Sequence, residues 1–255
     1  MLKTVMWFLT ALMIGCFMLA GAFAEGEMPK PSPEKVQEEK QEKMPEPSKE
    51  QTESEKPSEK KSGSKKVKLY KFRDDVVWLG ETPSDPRGMQ IPMLFQEDYT
   101  AVVCKYDGEY KNVATSGCGA TSLSMVIAYL TGDTTQTPYS LFWQSVDDKK
   151  YKGEGWDHRT LERYAKKYGL SYEWIANDAE LIVKALSENK PIIAHMGKGD
   201  FTEYGHYIVL RGVTEDGKVL VNDCASKRRS NKTYDAELIA KQGNYSNCFM
   251  VCWVK

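Results

Sequence analysis

The sharpest constraint on this chain is a break in its composition near residue 66. From residue 25 to about residue 66 there is no aromatic side chain, and nearly every position is Glu, Lys, Pro, Ser or Gln. Such a segment offers too little apolar surface to offset the entropy of ordering it, so it reads as a disordered tether. All tryptophans but Trp7, and every phenylalanine beyond the first 24 residues, lie after the break. A packed core is therefore confined to residues 67–255, a length that suits one domain. No internal repeat divides it.

Ahead of the tether, residues 1–24 carry one basic residue, Lys3, then an apolar run that ends in Ala22-Phe23-Ala24. This is the pattern of a secretory signal peptide with a small-x-small cleavage site, or of an anchor left uncleaved. The rest of the chain is then expected outside the cytoplasm, secreted or held at the cell surface, where disulfides persist. A formal net charge of −1 and the mixed signs of the tether exclude the basic stripe of a nucleic-acid binder. Membrane contact is expected only through the N-terminal anchor, and the domain is expected to be a monomer.

Within the domain, Ser116-Gly117-Cys118-Gly119-Ala120-Thr121-Ser122 places a cysteine between two glycines at the start of an apolar-periodic run. The spacing of Leu123, Ile127 and Leu130 predicts a helix from Cys118 to about Leu130, closed by Gly132, with those residues on one face. A thiol at a helix N-terminus ionises more readily than a free one. A second helix is predicted over 156–168 from Leu161, Tyr164, Ala165 and Tyr168, with His158 opening it. A third is predicted after a cap at Asn177, with Leu181, Ile182, Ala185 and Leu186 facing the core.

The pattern then changes to strands at 191–196, 205–213, 218–222 and 249–254, with Glu215-Asp216-Gly217 as a hairpin turn. Helices followed by an antiparallel sheet predict an α+β domain, the two parts packed face to face. Ile91-Pro92-Met93-Leu94-Phe95-Gln96 reads as a short extended segment ahead of the Cys118 helix.

This order brings together a chemistry. Thiol attack on a carbonyl needs a base, a group that fixes the base, and donors for the oxyanion. His206 begins one strand, and Asp223 ends the strand that folds back on it. Hairpin register decides whether Asp223 or Asn222 meets His206, because a slip of one residue exchanges the faces. Asp223 is favoured, with Asn222 as the alternative. Gln96 is the candidate side-chain donor for the oxyanion, beside the Cys118 backbone N–H.

Taken together, the Ile91 to Gln96 segment, Ser116-Gly-Cys118-Gly-Ala-Thr-Ser, Lys190-Pro-Ile-Ile-Ala-His-Met, Gly205-His206-Tyr-Ile-Val-Leu and Val221-Asn-Asp223 resemble the peptidase C39-like family of papain-like bacterial cysteine peptidases. The resemblance covers about residues 91–255. It implies a papain-like α+β fold and a cysteine peptidase or amidase with no cofactor. Carried across by position, Cys118 would be the nucleophile, His206 the general base and acid, Asp223 the orienting carboxylate, and Gln96 the oxyanion-hole side chain. Ala120 and Cys224 stand where the family often has proline.

Family members fused to exporters cut leader peptides after a double glycine. A stand-alone, exported chain is expected instead to act on an extracellular peptide, a protein or a cell-wall peptide stem, by hydrolysis or by acyl transfer. A non-catalytic cell-wall or protein-binding module on the same fold is the alternative.

Five cysteines remain after the signal: Cys104, Cys118, Cys224, Cys248 and Cys252. One nucleophile and two disulfides would account for that odd number, with three pairings of the other four open. Without a Cys-x-x-Cys pair, no structural metal is expected. His195, at a strand end, and the 197–204 loop are candidate cleft neighbours.

Overall fold

The structure is a computed structural model that describes residues 65–255; the predicted signal and nearly all of the tether lie outside the described residues. The principal sheet has six antiparallel strands. In chain order they are β4 (Leu170–Ile175), β5 (Ile192–Met196), β6 (His206–Val213), β7 (Val219–Asn222), β8 (Thr233–Tyr234) and β9 (Phe249–Val254). Their spatial order is β4-β9-β5-β6-β7-β8, so the last long strand inserts between the first and second. A separate three-stranded sheet is built from β1 (Val67–Leu69), β2 (Cys104–Tyr106) and β3 (Glu109–Lys111). The predicted α+β class is what the chain adopts.

Helix α1 (Val113–Ser116) runs through Gly117 into α2 (Cys118–Thr131), and Gly132 closes α2 in the left-handed conformation. A side chain at position 117 would press to within 2.7 Å of the Val113 backbone, so the tight junction between the two helices requires glycine. Gly119 through Ala128 are all buried, which makes α2 a central helix covered all round rather than an amphipathic one with a single core face. Its polar residues are satisfied where they lie. Thr121 donates to the Gly117 carbonyl (2.9 Å), and Ser122 donates to the Tyr207 carbonyl at the start of β6 (3.2 Å).

Helices α3 (Pro138–Asp147) and α4 (His158–Lys167) pack on α2, whereas α5 (Ala179–Ser187) packs on β5, β6 and α7 (Ala236–Lys241), and α6 (Lys227–Ser230) on β7. His158 does open α4, behind an Asp157 cap. The third predicted helix is capped by Asp178, not Asn177, and Leu181 is 40% exposed instead of facing the core. The Asp178 carboxylate accepts the Leu181 N–H, the bond expected of an N-cap residue. Helices α1, α3, α6 and α7, strands β4 and β8 and the small sheet are additions to the predicted set.

Every residue of β6 from His206 to Gly212 is buried, so both faces of that strand are covered. Helix α2 packs against it, and so does α5. Across the β6–β7 hairpin, Val213 pairs with Val219 and Gly212 with Leu220, whereas Leu210 pairs with Val221 and Val209 with Asn222. Arg211 is the extra residue of a β-bulge.

The bulge is held from outside the sheet. The Arg211 guanidinium is buried and donates to the carbonyls of Asp85 and Arg87, while Met89 N–H bonds the Arg211 carbonyl (2.7 Å). Gly212 has φ +154°, and a Cβ there would lie 2.8 Å from the Gly88 Cα. Because side chains alternate along a strand, this single inserted residue exchanges the faces of Asn222 and Asp223 relative to His206.

Candidate active site

Cys118 is the first residue of α2, and no side chain caps that helix start. Its first-turn N–H groups and the positive end of the helix are thus free to meet a developing negative charge. His206 is the first residue of β6, on the strand that α2 packs against. Asp223 follows β7 directly.

His206 Nε2 lies 2.8 Å from Asp223 Oδ1. The carboxylate is fully buried, and its other bonds come from the Ala225 N–H (2.9 Å) and the Arg229 guanidinium. Ser230 also receives the Asp223 N–H on its hydroxyl (2.8 Å). The short helix α6, capped by Ser226, therefore exists at the place where its Arg229 and Ser230 lock the aspartate. Sequence reasoning passed over Arg229, although its place six residues after Asp223, beyond the Ser226 cap, was available as a signal.

Asn222 turns away and donates to the Ile91 carbonyl (2.9 Å). The residue facing His206 is Asp223, as the bulged register requires.

The electrostatics follow from these partners. Burial raises the cost of ionising Cys118, but its hydrogen bond with His206 and backbone bonds at Tyr207 and Gly119 outweigh that cost and hold its pKa below the ordinary 9.0. Burial works against charge on His206 as well. The hydrogen-bonded Asp223 carboxylate and the adjacent Cys118 sulfur reverse the balance and put its pKa well above 6.5. Asp223 is buried too, yet His206 and Arg229 keep it below 3.8.

Gln96 opens a single 3-10 turn (Gln96–Asp98) instead of sitting in an extended segment; Phe95 before it is extended. Its backbone N–H bonds the Cys224 carbonyl (2.9 Å), and its Nε2 donates to the Ala114 carbonyl (2.9 Å). The Cys224 thiol donates to Gln96 Oε1 (3.4 Å). The four sequence-derived residues are thus linked through Cys224, which lies against the Cys118 carbonyl (3.8 Å).

All five cysteines among the described residues are free, so the two expected disulfides are absent. Cys104, Cys224, Cys248 and Cys252 are buried, and they behave as small apolar side chains with a weak donor. Cys248, for instance, spends its thiol on Asn177 Oδ1 (3.3 Å).

Donor atoms of His206, Asp223 and Cys224 lie within 4.8 Å of one another, the one such grouping among the described residues. Both Asp223 oxygens already serve His206, Ala225 and the Arg229 cation. A metal ion would have to displace those bonds beside a guanidinium, so the set fits a hydrogen-bonded triad better than a cation site.

Cys118 and His206 line a cleft of about 900 Å³. Its far wall holds an arrangement that sequence reasoning did not assemble. His195 stacks on Tyr207 (ring centroids 4.3 Å) and His158 stacks on Trp174 (4.1 Å). The two imidazoles approach each other, His158 Nε2 to His195 Nδ1, at 3.1 Å, and Asn244 meets His195 Nε2 at 3.1 Å. Burial pushes the His195 pKa down to about 4, with help from His158 and His206, so this wall is neutral at neutral pH. Tyr204, from the loop before β6, and Tyr245 stand exposed at the rim.

Residues 89–250 match the Peptidase_C39 like family. Among solved structures, the chain is similar to the peptidase domain of Streptococcus ComA, a bi-functional ABC transporter involved in a quorum sensing pathway (20% identity, 55% of this chain and 93% of that one, TM-score 0.42). It is also similar to a double glycine motif protease from an AMS/PCAT transporter in complex with the leader peptide (19% identity, 69% and 99%, TM-score 0.44). A third is a Bacillus anthracis protein described as a C39-like peptidase (15% identity, 67% and 98%, TM-score 0.45). No curated protein matches the chain. The family match spans well over half of the 255 residues, and the chain belongs to the Peptidase_C39 like family.

Proposed function

We propose that the protein is a cysteine hydrolase that cleaves a peptide or other amide bond through Cys118, His206 and Asp223, with Gln96 and the Cys118 N–H as oxyanion donors. The observation that carries this reading is a single histidine set beside a helix-terminal thiol and bonded to a buried, arginine-fixed carboxylate, at an open cleft that the thiol and the histidine both line. A binding module has no physical need for that combination.

The resting site is a thiolate–imidazolium pair. Cys118 sulfur attacks the carbonyl carbon; the C–S bond forms as the carbonyl π pair moves to oxygen, which accepts hydrogen bonds from the two donors. Collapse breaks the C–N bond, and the leaving amine takes the His206 proton. Neutral His206 then deprotonates a water that attacks the thioester, which releases the acid and restores the pair. An amine in place of water gives acyl transfer.

The substrate class is an extracellular peptide, a protein or a cell-wall peptide stem, in keeping with the signal-like residues 1–24 and the Glu/Lys/Pro-rich tether. The intact mass of the exported chain tests that placement: loss of residues 1–24 supports secretion, and retention makes the segment an anchor. For the chemistry, a peptide library is digested by the wild type and by Cys118→Ala and His206→Ala. Cleavage by the wild type alone is the expected result; equal cleavage by the variants, or by none, overturns the reading.

A further inference from the structure

Cys224 is fully buried, directly follows Asp223, and has no part in the reaction just described. Its sulfur is within reach of three carbonyl-type oxygens: Gln96 Oε1 at 3.4 Å, Tyr207 O at 3.6 Å and Cys118 O at 3.8 Å. A thiol has one proton, and the shortest of the three contacts is to Gln96. The same residue holds Gln96 a second time, since its carbonyl accepts the Gln96 backbone N–H at 2.9 Å.

A primary amide is planar, so its oxygen and its two N–H directions move together. One Gln96 N–H is spent on the Ala114 carbonyl (2.9 Å), and the oxygen is spent on the Cys224 thiol. These two bonds demand the same orientation of the amide; exchanging oxygen and nitrogen would set the Gln96 oxygen against the Ala114 oxygen. With both ends fixed, the remaining N–H has one direction left. Burial keeps the Cys224 proton on its sulfur, which a donor requires.

We propose that Cys224 is a positioning residue for the oxyanion: its thiol and its carbonyl clamp Gln96 so that the unspent amide N–H faces the oxygen of the carbonyl that Cys118 attacks. This rests on the reading of Cys118 and Gln96 given above. The thiol takes no part in bond making. It sets the aim of a donor whose worth depends on being in place before charge develops.

The test compares two reactions of Cys118 in the full chain. Acylation by p-nitrophenyl acetate passes through an oxyanion, whereas alkylation by iodoacetamide does not. Both rates are measured for wild type, Cys224→Ala, Cys224→Ser, Gln96→Ala and the Gln96→Ala/Cys224→Ala double variant, with mass mapping of the modified cysteine. Cys224→Ala should acylate about fivefold more slowly, the effect of losing one hydrogen bond's net restraint, with alkylation within about twofold of wild type. Cys224→Ser, which keeps a donor, should recover most of the loss. In the Gln96→Ala background, Cys224→Ala should add nothing.

Equal falls in acylation and alkylation, an unchanged acylation rate, a serine variant as slow as the alanine one, or full additivity with Gln96→Ala would each overturn the proposal. If Cys224→Ala does not fold, Cys224→Val fills the volume without a donor and takes its place. Failure of the wild type to be modified at Cys118 would instead sink the catalytic reading itself.

Discussion

His206 and His195 lie on neighbouring strands, where Met196 pairs with His206 and His195 with Tyr207, yet their chemistry is opposite. Burial is the largest influence on each and pushes both toward neutrality. His195 gives way: its ring nitrogens meet only His158 and Asn244, and its pKa falls to about 4. His206 does not, because the Cys118 sulfur and a carboxylate flank it, and that carboxylate is pinned by Arg229. Desolvation alone makes a neutral cleft wall; a fixed carboxylate makes a charged base.

The comparison breaks most completely if His206 loses its carboxylate. Asp223→Asn should drop the His206 pKa and with it the Cys118 thiolate, lowering kcat/KM by about a thousandfold in peptide cleavage. Next in size is the device that supplies the carboxylate. Gly212→Val forces a branched side chain onto φ +154° and against Gly88, and should cost about 2 to 3 kcal/mol, read as a lower midpoint in urea. Activity should fall further than the folded fraction does, since the bulge sets which residue meets His206.

A smaller change gives His195 what His206 has. Asn244→Asp puts a carboxylate where Asn244 now meets His195 Nε2 and should raise the His195 pKa from about 4 by about one to three units, measured by NMR titration. The smallest expected effect is that of salt. The His206 and Asp223 side chains are 8% and 0% exposed, so 0.5 M NaCl, roughly a Debye length of a few ångströms, should leave the His206 titration nearly unmoved.

Much of this contrast is legible in the sequence, for identifiable reasons. Cys118 between Gly117 and Gly119, with Gly132 as the stop, marks α2 within a residue at its C-terminal end. The four strands from residue 191 onward are apolar runs broken by turn residues, and each appears within a residue of its expected bounds. Thr137-Pro138 is a cap and first-turn signal that was there to be read for α3.

Asn222 against Asp223 stays open without structure because pairing alone does not reveal an inserted residue. Gly212 inside the strand was its one local sign. The disulfide expectation fails for a different reason. Counting cysteines assumes that each needs a partner, but Cys104, Cys224, Cys248 and Cys252 are accommodated as buried thiols in separate parts of the core. The His158–His195–Asn244 wall joins α4, β5 and the segment before β9, which no sequence spacing relates.

The most direct test is the pH profile of Cys118 alkylation by iodoacetamide, read by mass mapping in wild type and His206→Ala. The sign follows from the pair. Thiolate appears as pH rises through the depressed Cys118 pKa, and the imidazolium that stabilises it is lost as pH rises further through the raised His206 pKa. Wild type should therefore alkylate with a midpoint below 9.0, and His206→Ala should move that midpoint up toward the ordinary thiol value. A wild-type midpoint near 9.0, or one that His206→Ala leaves unchanged, would contradict a thiolate held by His206.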